Sequence, residues 1–393
     1  MTLARLDFLV GVASAGAASA ASTVTLPFEN GTRPLVAYPQ KRSLIVLTPR
    51  PPQLETPFAV FNESILTPND AFYVRWHLAG IPTTVDGATH RIKVHGSVKR
   101  PMSLSVEDLR ARFDRVEIVA VNQCSGNSRG LFSPRVPGGQ WDNGAMGNAR
   151  WTGARLVDVL AAAGLKDSAV QIRFRGLEQP VLPTTPPFVK ALSIDDIDEN
   201  MIIAYEMNGQ PLPLLNGYPV RLVVPGWYAT YWMKMLSELE AIDTIDDNFW
   251  MKTAYRIPNT PGNTVAPTDT GYPTIPINKM TVRSFITSVT SGQTLQAGPQ
   301  TIRGIAFDSG KGIIAVEFSL DGGVTWRKAK LGADLGNYSF RPWEIGFTAK
   351  RGASYVLACR ATTNNGVTQT TVPVWNPGGY LRNVIETYEV RVA

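Results

Sequence analysis

Reactive sulfur and imidazole are scarce in this chain, which has two cysteines and three histidines in 393 residues. Two cysteines in such different surroundings do not make a disulfide framework. Zinc and iron–sulfur centres gather several Cys or His ligands in one place, and five such residues scattered along the chain cannot supply them. There is no Cys-x-x-Cys-His, so the sequence carries no signature of attached haem. Long basic runs are also missing, and a net charge of +6 is moderate. That balance argues against a nucleic-acid stripe and suits a small anionic substrate. Beyond the N-terminus no stretch is apolar enough to cross a bilayer, and no internal repeat is evident.

What the chain does have is glycine and proline, 34 and 29 residues, with 44% hydrophobic and 18% charged residues. That load favours turns and β-structure over long helices, and the length allows two cores. Residues 1–22 contain Arg5, a short apolar stretch and Ala18-Ser-Ala20, the pattern of an export signal. Arg5-Leu-Asp-Phe-Leu9 is similar to a twin-arginine motif with Leu6 in place of the second arginine. The expected location is therefore periplasmic, by a twin-arginine-type route with a degenerate motif.

Residues 23–265 mix helical and strand patterns. Ser105-Val-Glu-Asp108 predicts a capped helix start, and Arg115 to Val121 predicts a strand. Leu156, Val159, Leu160 and Ala163 recur at helical spacing before Gly164, and Val220 to Pro225 reads as another strand. Ile257 to Ile277 is crowded with Pro, Thr, Gly and Asn, as in a linker or a long ordered connection. Residues 266–393 then show short, evenly spaced strands, with a hairpin signal at Asp321-Gly-Gly323 between Phe318 to Leu320 and Thr325-Trp326. The expectation is an α+β domain followed by an immunoglobulin-like β-sandwich. Cys359 alternates with Tyr355 and Leu357 in that second region, as a small buried residue would.

Cys124 is the more informative sulfur. It follows a strand-like run and precedes Ser125-Gly-Asn-Ser-Arg129. Four readings apply. A buried structural cysteine is the commonest fate, yet its neighbours are polar. A phosphatase loop needs five residues between cysteine and arginine, and here there are four. A cysteine hydrolase needs a histidine base, and His77, His90 and His95 have no matching context. A metal held by one protein thiolate would take its remaining ligands from an organic cofactor, and molybdenum on a pterin dithiolene fits that arithmetic.

Several motifs, in order, resemble the sulfite oxidase family of molybdenum enzymes, and its bacterial sulfite dehydrogenase subunits in particular. They are Phe72-Tyr-Val-Arg-Trp-His77, Cys124-Ser-Gly-Asn-Ser-Arg129, Trp141 to Met146, Ala149 to Leu156, Ala204 to Leu212, and Gly217 to Gly226 with Lys234-Met-Leu236. The resemblance runs from Phe72 to the C-terminus. It implies that Cys124 ligates molybdenum, which also carries oxo groups and one pterin dithiolene. Arg75, Arg129 and Tyr255 would form an anion pocket with Trp141 as a wall. Tyr73, Val74, Arg75, Trp76, His77, Glu178, Asn216, Arg221, Trp232, Met233 and Lys234 would hold the pterin and its phosphate.

Two departures stand out. Asn216 and Gly378 occupy positions where animal enzymes carry a histidine and a further substrate-binding arginine. The implied reaction is oxygen-atom transfer, sulfite leaving as sulfate, followed by two one-electron steps to an external carrier such as a c-type cytochrome. A homodimer, or a heterodimer with a haem subunit, is the expected assembly. The alternatives are a sulfoxide reductase of the same fold and a non-catalytic binding module. Independently of the resemblance, Arg-x-His on an extended strand places Arg75 and His77 on one face.

Overall fold

The computed structural model describes residues 23–27 and 31–393. The export-signal reading of residues 1–22 lies outside the described residues. Among the described residues α-helix is confined to Val106–Arg112, Leu156–Ala163 and Phe249–Lys252, and strands make up most of the regular structure. The first helix starts as its sequence predicts. Asp108 N donates to Ser105 Oγ at 2.9 Å, and Ser105 N donates back to the Asp108 carboxylate at 2.8 Å. The second ends at Gly164, whose φ of 68° is left-handed backbone that glycine adopts without a Cβ penalty.

Three sheets build the first domain. An antiparallel meander runs through Thr23–Thr25, Thr32–Ala37, Ser43–Pro49, Pro52–Glu55 and Val74–Arg75. The second sheet is ordered Val189–Ser193, Gln171–Gly176, Leu236–Ile242, Ile92–Gly96 and Met102–Leu104, with one parallel pair between Leu236–Ile242 and Ile92–Gly96. In the third, Met146–Arg155 lies between Val116–Gln123 and Ile202–Met207. Met146 to Ala149 and Trp151 to Ala154 are buried on both faces, and small residues and the polar Asn148 and Thr152 share that burial with Met146 and Trp151.

The second domain is the expected two-sheet sandwich. One sheet is Arg283–Ile286, Gly298–Phe307, Arg341–Ala349 and Lys330–Leu331. The other is Thr294–Leu295, Thr387–Val392, Ser354–Thr363, Ile313–Ser319 and Arg327–Lys328. Leu357, Cys359 and Ala361 face the core between them. The Asp321 hairpin is present, but its return strand begins at Arg327 rather than Thr325. The Asp321 carboxylate explains the shift, because it accepts from Val324 N, Thr325 N and Thr325 Oγ1 and keeps those residues in the turn.

The Pro-rich connection is ordered. It contains the hairpin of Arg256–Pro258 with Thr274–Pro276, which straddles the expected boundary at residues 265/266. Tyr231 donates to Ile277 O at 2.5 Å, and Val265 N donates to Trp375 O at 3.0 Å. The connection is thereby pinned to both domains. One apolar core runs through the first domain and takes in Phe285, Phe307, Phe340 and Tyr380 of the second.

A candidate cofactor site around Cys124

The strand Val116–Gln123 delivers Cys124 to the wall of a narrow polar pocket. A turn then reverses the chain: Asn127 N donates to Cys124 O at 3.0 Å, and Ser128 takes a φ of 68°. Tyr73, Arg75, His77, Asn122, Ser125, Asn216, Arg221, Thr230, Lys234 and Tyr255 line the same pocket, together with the apolar Leu215 and Ala229. Tyr73, Arg75 and His77 alternate along one extended segment, so all three point the same way. The intervening Val74 and Trp76 point the other way, into a cluster with Leu44, Leu54 and Met235. The one-face expectation for Arg75 and His77 therefore agrees with the structure.

The cavity is dense in polarity that nothing uses. Arg75 Nη1, His77 Nδ1, Asn122 Nδ2, Ser125 Oγ, Arg221 Nε and Thr230 Oγ1 are buried without a hydrogen-bond partner. Leaving each such group unpaired costs about 1–3 kcal/mol, so the pattern marks a place for a polar ligand. Charge points the same way. Arg221 is 3% exposed and donates only to the carbonyls of Asn216 and Trp232, at 3.0 and 3.2 Å. Burial lowers the Arg221 guanidinium to about 10, and burial lowers the Lys234 ammonium to about 7 despite the Glu178 carboxylate. Lys41 donates to the Asn216 side chain, to Asn69 O at 2.6 Å and to Phe72 O at 2.9 Å, and burial lowers it to about 7 as well. Buried cations without matching anions suit a dianionic ligand such as a phosphate monoester.

Tyr255 closes the opposite wall. It holds a φ of 57°, a costly conformation for a non-glycine residue. Its hydroxyl lies 2.7 Å from His77 Nε2, and Arg75 lies 5.9 Å from its ring centroid. His77 stacks on Phe188 with centroids 3.4 Å apart. Burial, reinforced by the nearby Arg75, Lys234 and Lys190 charges, pushes His77 well below its ordinary value. A neutral His77 can therefore accept from the Tyr255 hydroxyl.

Not every residue named from the sequence lines the cavity. Glu178 sits behind it, accepting from His77 N at 3.1 Å and Leu78 N at 2.9 Å, so it fixes the strand that carries His77. The Trp232 indole donates to Trp227 O at 3.0 Å, and it is the carbonyl of Trp232 that meets Arg221. Met233 contributes its carbonyl to Leu222 N. Trp141 packs edge-on against Tyr73 at 6.4 Å, one layer out. Arg129 turns toward the sandwich domain, where its Nε donates to Gly378 O at 3.0 Å.

Sequence reasoning passed over Asn122, Ser125 and Thr230 in the lining, and Lys41 and Lys190 beside it. Asn122 carried a usable signal, since it lies two residues before Cys124 on one strand face and accepts from Tyr73 at 2.6 Å. Lys190 is fully buried and lies 4.6 and 5.4 Å from the Tyr231 and Tyr255 ring centroids.

Comparisons with known proteins place this arrangement. The family model of the oxidoreductase molybdopterin binding domain matches residues 78–250, and that of the Mo-co oxidoreductase dimerisation domain matches residues 274–393. Sulfite oxidase of Gallus gallus is 32% identical over 400 residues, covering 97% of this chain and 83% of that protein.

The chain belongs to the sulfite oxidase family of molybdenum oxidoreductases.

Within that family, mitochondrial sulfite oxidase of Homo sapiens is 34% identical over 371 residues, covering 89% of this chain. The chain spans 66% of that relative's length. The sulfane dehydrogenase SoxCD of Paracoccus pantotrophus superposes with a TM-score of 0.72 at 21% identity, over 98% of this chain and 93% of that one. At that identity the likeness speaks to fold, and it extends through both domains. The family's cofactor, molybdenum held by molybdopterin, fits what the cavity offers. Cys124 would supply a sulfur ligand, Arg221 and Lys234 would supply cations for a phosphate, and the unpaired donors and acceptors suit a polar heterocycle.

Proposed function

We propose that this chain oxidises sulfite to sulfate at a molybdenum–molybdopterin centre held through Cys124. The observation that carries the reading is the convergence of a lone thiol, buried unpaired cations and unspent hydrogen-bonding groups on one cavity. When bound, the cofactor supplies oxygen-atom transfer and takes up two electrons. Cys124 anchors the metal. Arg221, Lys234 and Asn216, the last steadied by Lys41, hold the phosphate end, while Tyr73 and Asn122 border the pterin. Arg75 and Tyr255 face the position of the oxyanion. Arg75 is a permanent cation that steadies the dianionic product as charge builds on its oxygens, and Tyr255 is held by His77 to donate to it.

We further propose that the electrons pass one at a time to an external carrier, a c-type cytochrome being the natural class. No cofactor-binding signature for a second redox centre occurs in the sequence. No helix among the described residues is long and apolar enough to cross a membrane. The N-terminal pattern of Arg5 with Ala18-Ser-Ala20 supports export to the periplasm, and the matched dimerisation domain supports pairing, either with a second copy or with a haem subunit.

The test is sulfite-dependent reduction of ferricyanide or cytochrome c by protein from a host that makes the cofactor, with metal analysis alongside. Turnover that disappears in Cys124→Ser is expected. Protein from such a host that carries no molybdenum would end the proposal.

A further inference from the structure

The sandwich domain reaches the site through one turn, residues 375–381. Asn376 stabilises it, donating from Nδ2 to Tyr380 O at 2.9 Å and accepting at Oδ1 from Tyr380 N at 3.1 Å. The turn does two things at once. It offers Gly378 O to Arg129 Nε at 3.0 Å. It also lays the Tyr380 ring parallel to Tyr255, with centroids 5.9 Å apart and planes 15° apart, while the Arg129 guanidinium stands 5.1 Å from the same ring. Tyr380 is therefore a wedge from the second domain, in contact with Tyr255, which the sulfite reading places at the oxyanion, and with Arg129, which the family resemblance assigns to the same pocket. It is 9% exposed, so these contacts are made with little competing water.

Gly378 makes the wedge possible. A Cβ at that position would stand 2.3 Å from Tyr380 Cε2 and 2.5 Å from Cδ2, far inside van der Waals contact. The backbone does not demand glycine there, because Gly378 is absent from the positive-φ residues, whereas its neighbour Gly379 has a φ of 61°. Space for the ring, not turn geometry, is what glycine provides at Gly378.

We propose that Tyr380 is a positioning residue of the oxyanion site, supplied by the sandwich domain, and that its ring sets the placement of Tyr255 and Arg129 only because Gly378 lets it lie there. The ring stacks on Tyr255 and faces the Arg129 guanidinium, and the hydroxyl hydrogen-bonds the Arg129 side chain as well, so ring and hydroxyl hold Arg129 together. The proposal rests on the sulfite reading for which oxyanion is held.

The experiment uses loaded full-length protein in five forms: wild type, Tyr380→Phe, Tyr380→Leu, Gly378→Ala, and Gly378→Ala with Tyr380→Leu. Sulfate affinity is measured by calorimetry, with sulfite KM and kcat beside it and molybdenum content and melting temperature as folding controls. Losing a desolvated cation–π contact and an aromatic stack is expected to weaken sulfate binding and raise KM by roughly tenfold in Tyr380→Leu. A much smaller change in kcat completes that expectation, with Tyr380→Phe falling between wild type and Tyr380→Leu because it keeps the ring contacts and gives up the hydroxyl's bond to Arg129. Gly378→Ala keeps every native side chain, so it reads the ring's placement even where Tyr380→Leu folds poorly, and it should match Tyr380→Leu. Because it acts only through the ring, it should add nothing in the Tyr380→Leu background. Gly378→Ala that leaves sulfate affinity unchanged, or that costs the same factor again without the ring, would overturn the proposal. Sulfate affinity decides this whether or not the wild type turns over sulfite, so the two readings fail separately.

Discussion

The two cysteines of this chain are both buried, and their surroundings teach opposite things. Cys359 sits in the sandwich core between Leu357 and Ala361, and its hydrogen-bond partner, Ser284 Oγ, is 2.6 Å from Gln369 Oε1 and 3.4 Å from Cys359 Sγ. Burial pushes the Cys359 thiol up to about 12, which makes it an inert packing residue. Cys124 looks onto a cavity whose walls hold six-membered company of another kind: Arg75, His77, Asn122, Ser125, Arg221 and Thr230, each with a buried atom left unpaired. Burial alone does not distinguish a site from a core. Unspent polarity beside a cavity does.

The largest expected effect breaks that comparison directly. Cys124→Ser should remove sulfite turnover far beyond the roughly 100-fold cost typical of losing an outer-shell partner, whereas Cys359→Ala should leave kcat unchanged. Steady-state assays of both, normalised to protein, check this.

Next come two buried arginines with different partners. Arg283 is fully buried and held by its terminal nitrogens, donating to Ser128 Oγ at 2.9 Å and pairing with Glu386 at 3.2 Å, although its Nε has no partner. Arg283→Met should destabilise the protein by about 1–3 kcal/mol, since it leaves the buried Ser128 hydroxyl without its donor while Glu386 keeps Arg382. Arg221 has no carboxylate, so Arg221→Met should leave the cofactor-free protein as stable or more stable while most of the bound molybdenum is lost. Denaturant titration and metal analysis separate the two outcomes.

The pH dependence of stability gives a third test. Lys41, Lys190 and Lys234 fall from 10.5 to about 7 by burial. Between about pH 7 and 10.5 the unfolded chain then holds more protons than the folded one, so stability climbs with pH. Burial raises Glu55 to about 8, helped by Asp142, and raises Asp142 to about 7, helped by Glu386. These carboxyls hold more protons when folded, so they lower stability as pH rises from about 4 toward 8. Cofactor-free protein should therefore dip near neutrality and recover above pH 8. Loaded protein should recover less, because a bound phosphate keeps Lys234 charged. Melting temperatures across pH for both forms decide it. The smallest effect is Cys359→Ala itself, at about 1 kcal/mol for a small core truncation, read by denaturant unfolding.

How far the sequence was legible follows from the range of the interactions. The capping box of Ser105 and Asp108, the Gly164 stop and the strand into Cys124 are local, and each stands where its pattern put it. The alternation of Tyr73, Arg75 and His77 is local too. Arg129 shows the limit. Five residues from Cys124, it turns toward Gly378 because Ser128 adopts left-handed backbone and the sandwich domain offers a carbonyl. Lys41 meets Asn216, and Tyr380 meets Tyr255, only through folding of distant segments. No spacing rule encodes such contacts. The α+β expectation also leaned on helical periodicity that becomes only short helices, the longest spanning Leu156–Ala163.

The most direct test of the account is molybdenum content and sulfite turnover measured on the same preparations of wild type, Cys124→Ser and Cys359→Ser. The account predicts molybdenum and turnover in the wild type and in Cys359→Ser, with turnover lost in Cys124→Ser. Sulfite oxidation that survives in Cys124→Ser, or a wild type from a cofactor-competent host that contains no molybdenum, would contradict it.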